Sequence, residues 1–99
     1  MKPTELQVKE LWEWCGLRKT NYWWFAPSGR HLTSTTPPIT VDNLFKFAVP
    51  KARRILFENG QNIRHSYDRL FKLWLDKWVE GYELEEALFW ALQQVKVNS

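Results

Sequence analysis

Four aromatic residues in succession, Tyr22-Trp23-Trp24-Phe25, lead into the turn-forming triplet Pro27-Ser28-Gly29. Large rings suit a pleated surface, and the Pro-x-Gly step reverses the chain so that His31-Leu32-Thr33 can pair back. A β-hairpin is therefore expected over residues 20–35. Strand alternation sends Tyr22 and Trp24 to one face and Trp23 and Phe25 to the other. With helices on one face only, one pair of rings stays wet. With helices on both faces, all four become core. The candidate interface residues on this hairpin are Tyr22, Trp23, Arg30 and His31, and whichever ring pair stays exposed is suited to a homodimer or another protein.

Helices are expected on either side of the hairpin. Thr4 and Gln7 have capping-box spacing, Val8, Leu11, Trp12 and Cys15 form an apolar stripe, and Gly16 is a stop, which together predict a helix over 4–15. Ser34 to Pro38 reads as loop or extended edge, because neither proline can donate to a ladder. Thr40 is an N-cap, with Ile39 and Leu44 placed as a hydrophobic staple. The helix that follows spans about 40–58, kinked or split at Pro50, with Asn59-Gly60 as its stop. The last helix, 84–96, repeats Leu84, Ala87, Leu88, Ala91, Leu92 and Val95 at steps of three and four. Glu83, Glu85 and Glu86 stand at its positive end and Lys96 at its negative end.

Residues 66–82 admit two readings. Leu70, Phe71, Trp74, Leu75, Trp78 and Val79 follow a helical stripe with Gly81 as a cap. Alternatively, Phe71, Leu73 and Leu75 share a strand face, Asp76-Lys77 turns the chain, and Trp78 to Tyr82 returns. Periodicity alone favours the helix.

Ninety-nine residues are the size of one domain. Seven tryptophans, six phenylalanines and three tyrosines supply volume that so small a core otherwise lacks. Lys72 and Asp76 interrupt the most apolar stretch, so no membrane span is expected. Met1-Lys2-Pro3-Thr4-Glu5 lacks the apolar core of a signal peptide, and a cytoplasmic location is expected. Cys15 is the single cysteine; no internal disulfide can form, and Cys15, His31 and His65 are too dispersed in sequence to suggest zinc. The net charge of +3 comes mainly from residues 46–72. It allows an anionic partner without requiring one.

No enzyme signature is present. Glycine-rich nucleotide fingerprints, phosphate loops, G-x-S-x-G elbows and H-E-x-x-H pairs are all missing from the sequence. Ser28 with His31, and His65 with Ser66 and Asp68, are read as turn, cap and solvated residues rather than catalytic pairs. No cofactor is expected, no catalytic residue and no metal ligand. Lys51, Arg53, Arg54 and Arg64 flank the middle helix and are candidate contacts to an anion or nucleic acid. A solvated basic helix face is the simpler account of them, with their stems covering apolar surface.

The order "LWEWCG", "YWWFAPSGR", "PPITVDNLFKFAVP" and "LEEALFWAL" resembles small phage and prophage proteins carrying the phage ABA-sandwich domain. That resemblance covers nearly the whole chain and implies that residues 66–82 form a second hairpin. It implies no activity and no catalytic residues to carry over. It further implies a phage or prophage origin and action in a bacterial host cytoplasm. The architecture expected is thus a single α+β domain, with an antiparallel sheet of two hairpins (20–35 and 66–82) against three helices. The function expected is that of a non-enzymatic accessory protein that binds a host or phage protein, or a second copy of itself, with modulation of host defence or physiology as one role. The alternative is a nucleic-acid or nucleotide binder that uses the basic residues with nearby rings.

Overall fold

The computed structural model describes residues 2–20, 22–58 and 63–98, with the backbone alone for 63–66. Thr4 opens helix α1 (Glu5–Trp14) with a complete capping box: its hydroxyl accepts from the Gln7 N–H, and the Gln7 side chain accepts from the Thr4 N–H. Gly16, at φ 94°, ends it. The Gly16 N–H donates to Glu13 and the Leu17 N–H to Trp12, the paired bonds of a Schellman cap. Leu17 and Trp12 are both buried there, so the cap also closes a hydrophobic contact.

Three short strands follow: β1 (Arg18–Thr20), β2 (Trp23–Phe25) and β3 (His31–Thr33), an antiparallel meander in the order β1-β2-β3. Arg18 pairs with Phe25 and Thr20 with Trp23 on one side of β2. On the other side Phe25 pairs with His31 across an irregularity at Trp24/Phe25. The β2–β3 turn is closed by the Gly29 N–H on the Ala26 carbonyl and the Ala26 N–H on the Arg30 carbonyl, each at 2.8 Å. The expected hairpin is therefore present, preceded by an additional strand, β1.

Thr40 caps α2 (Val41–Asn43) by accepting from the Asn43 N–H. A π-helical turn (Leu44–Ala48) then runs straight into α3 (Val49–Glu58). Pro50 explains the π turn. Proline has no N–H for the helical ladder, and its ring crowds the carbonyl four residues back. The chain accommodates it by stepping to i→i+5 bonding, with the Val49 N–H on the Leu44 carbonyl. The disruption expected at Pro50 thus takes the form of a π turn ahead of it. Asn59-Gly60, the expected stop, lies outside the described residues.

The second hairpin does not form. Residues 63–79 are a single helix, α4 (Ile63–Val79), against the expectation of strands over 66–82. Leu70 is buried, and Leu73 and Trp74 recur at helical steps and pack partly against the core, while Asp76 and Lys77 lack the glycine or asparagine that a two-residue hairpin turn favours. Gly81 follows with a second Schellman cap, its N–H on Trp78 and the Tyr82 N–H on Lys77. Helix α5 (Leu84–Val97) completes the chain, with Glu85 and Glu86 in its first turn and Lys96 in its last.

Among the described residues the fold is α+β, with four helical stretches (α1, the run from α2 through the π turn to α3, α4 and α5) and one three-stranded antiparallel sheet. Helix α5 lies at the centre, with α1, α3, α4 and the π turn all against it. Leu88, Phe89, Ala91 and Leu92 are fully buried along it. The sheet is not enclosed between two helical layers. It packs through Trp24, Ala26 and the preceding Leu17, leaving Tyr22 81 % and Trp23 44 % exposed. Trp12 joins loop to helix, its Nε1 donating to the Pro37 carbonyl at 2.7 Å.

Candidate functional site: an aromatic slot and a basic groove

Helix α4 carries two apolar faces. One, centred on Leu70, is buried. The other follows Tyr67, Phe71, Trp74, Leu75 and Trp78, steps of three and four that stack side chains along one side of a helix. Phe45, from the π turn, closes against this face with its ring centroid 6.2 Å from Phe71 and 5.6 Å from Trp74. Tyr67 stacks on Phe71 at 5.6 Å. Trp74 is fixed from a further direction, its Nε1 donating to the Leu84 carbonyl at 3.0 Å.

The product is a slot of about 470 Å³ lined by Phe45, Phe71, Trp74, Leu75, Trp78 and Leu84. Among the described residues no charged side chain lines it. Trp78 is 54 % and Leu75 53 % exposed, so the slot is open to solvent. Contiguous exposed apolar surface of this kind makes the slot a candidate interaction site. None of these six was among the candidate site residues expected from sequence. Phe71, Trp74, Leu75 and Trp78 stand in the helical stripe of the 66–82 segment, but assigning strands to that segment disperses them over two faces.

A second concavity lies beneath the β2–β3 turn. There Ala26, Pro27 and Ser28 overhang α3, enclosing about 710 Å³ with Lys46, Lys51, Arg53 and Arg54 on the walls and Phe47 and Phe57 between them. An adjoining hollow of about 510 Å³ shares Ala26, Ser28, Lys46 and Phe47 and adds Arg30. Among the described residues no carboxylate lines either one. Lys46 is held by Asp42 of the preceding turn at 3.0 Å. Lys51 lies over the Trp14 ring at 5.7 Å, and Arg53 over Tyr67 at 5.3 Å. The Arg53 Nε is buried with no hydrogen-bond partner among the described residues.

Three of the four basic positions expected from sequence, Lys51, Arg53 and Arg54, therefore share one groove. The side chain of Arg64 lies outside the described residues. Of the hairpin candidates, Trp23 and His31 stack in parallel, centroids 5.1 Å apart at 5°, and Phe25 packs on the same imidazole at 4.7 Å. Arg30 turns instead into the hollow beside Lys46, and Tyr22 stands exposed in the β1–β2 connection. His31 is thus occupied by rings. Cys15 lies at the edge of the groove, and burial pushes its thiol from an ordinary 9.0 up to about 12, with the Lys51 charge pulling weakly the other way. It stays a protonated thiol at neutral pH, not a nucleophile. Among the described residues no three His, Cys, Asp or Glu side chains converge as a metal site, and no helix is long and apolar enough to cross a membrane.

Comparison with protein-family models, with curated proteins and with solved structures finds no match. The two surfaces must be interpreted from their own chemistry.

Proposed function

We propose that this protein is a non-enzymatic binding module that docks an amphipathic helix of a partner protein in the aromatic slot on α4. The observation that carries this reading is the slot itself, lined by six apolar side chains. Three of its rings, Phe45, Phe71 and Trp74, are ordered by mutual contact and by the Trp74–Leu84 hydrogen bond, so these have little freedom to lose on binding. A shallow apolar groove between helical elements suits the apolar ridge of one helix, the mode in which side chains at i, i+3, i+4 and i+7 anchor. A phage or prophage origin, carried only by the family resemblance, sets that partner as a host or phage protein. Modulation of host defence or physiology would then be the role, exercised in the bacterial cytoplasm.

The test places a photo-crosslinking residue at Leu75 and identifies the captured peptide by mass. An amphipathic helical segment of another protein, lost when Trp78→Ser is introduced on a folded background, supports the reading. Capture of a second copy of this chain replaces the partner with self-association. A monomer that captures nothing at Leu75 refutes it.

A further inference from the structure

Beyond helix docking, we propose that the basic groove beneath the β2–β3 turn binds single-stranded nucleic acid without sequence preference. Its five cations come from three segments: Arg30 after the turn, Lys46 on the π turn, and Lys51, Arg53 and Arg54 on α3. Cations distributed along two adjoining hollows match a chain of phosphates better than one phosphate group. Among the described residues no carboxylate lines the groove, so a polyanion meets little like charge inside it. Phe47 and Phe57 lie among the cations, and Phe57 is 52 % exposed. A wet ring between cations offers a stacking surface that any base can use. The unpaired Arg53 Nε adds a buried donor in the same wall.

The alternatives fit less well. A mononucleotide site typically cradles phosphate on successive backbone N–H groups in a glycine-rich loop, and among the described residues no glycine lines either hollow. A duplex is read by an element that protrudes into one of its grooves, whereas this surface is concave. A phosphopeptide site gathers its arginines around a single group, whereas here the cations are spread over three segments. The site is also separate from the aromatic slot: Phe45 faces the slot, while its neighbours Lys46 and Phe47 face the groove.

Fluorescence anisotropy with a labelled oligodeoxythymidylate, titrated across salt concentrations, tests the proposal. Neutralising about four phosphates gives a slope of log affinity against log salt near −3. Arg54→Gln makes that slope shallower by about 0.7. Phe57→Ala lowers affinity roughly 5- to 100-fold and leaves the slope unchanged. Asp42→Asn, which frees Lys46, raises affinity about two- to fivefold, a gain that misfolding would not produce. Trp78→Ser leaves all these values as they are, so failure of the slot and failure of the groove are read separately. The proposal is overturned by absent binding at low salt, by a slope that Arg54→Gln does not move, or by equal affinity for a duplex of the same length. Equal competition by free nucleotide or by a phosphopeptide also overturns it.

Discussion

The Trp74 indole and the Leu84 carbonyl oxygen are joined by a 3.0 Å hydrogen bond that ties the outward face of α4 to the first residue of α5. It spans the connection that the second Schellman cap closes. Trp74→Phe keeps most of the ring and removes the donor. The expected cost is about 1 kcal/mol, read as a fall of roughly 4–8 °C in melting temperature for a domain of this size.

Trp12 and Trp24 are both fully buried, yet they differ in one respect. The Trp12 Nε1 donates to Pro37, while the Trp24 Nε1 is buried without a partner among the described residues. Replacement by Phe therefore deletes a bond at position 12 and relieves an unpaired donor at position 24. Trp12→Phe should destabilise more than Trp24→Phe, by about 1 kcal/mol or more in denaturant titration. Equal costs would show that ring volume alone sets both.

Cys15 gives a pH dependence with a definite sign. Its thiol is raised in the folded chain from 9.0 to about 12 by burial. The unfolded chain therefore loses this proton first as pH rises. The corresponding stability is intact below about pH 9 and is lost progressively from there towards pH 12. Comparing wild type with Cys15→Ala in urea across that window isolates the contribution, because the variant lacks this thiol. Reaction with an aromatic disulfide at pH 8 should be slow in the native protein and fast once it is unfolded.

Gly16 combines a left-handed backbone with a crowded surrounding. At φ 94° a Cβ would stand 3.3 Å from the Pro27 Cγ, in the turn that roofs the basic groove. Gly16→Ala should cost roughly 1–2 kcal/mol from the backbone alone. Displacement of Pro27 should add to that, with altered fluorescence from Trp14 and Trp24 as the local readout.

Local chemistry was legible wherever it was self-contained. The Thr4–Gln7 box, the Thr40 cap, the Gly16 stop and the apolar repeat of α5 each depend on residues a few positions apart, and each is found as expected. Strand β1 escaped notice because Arg18, Lys19 and Thr20 are all exposed, so no apolar alternation marks them. The 66–82 segment was misassigned for a different reason. Its helical period was correct, and the family resemblance, a non-local argument, displaced it. Once those rings were given to strands, the slot they build with Phe45 and Leu84 could not be seen. The basic groove was half visible: Lys51, Arg53 and Arg54 are neighbours on one helix, whereas Lys46 and Arg30 join them only through the packing of the turn.

The π turn has a consequence for how such a chain can change. It holds one residue more than an α-helix needs for the same path, so the residues before and after it keep the faces that regular winding would give them, and the extra position is taken up inside the turn. Phe45, on the slot, and Lys46, on the groove, both lie within that widened turn. Two surfaces of opposite chemistry thus share a single point of indexing. Length variation there alters both together, whereas substitution can tune either one alone.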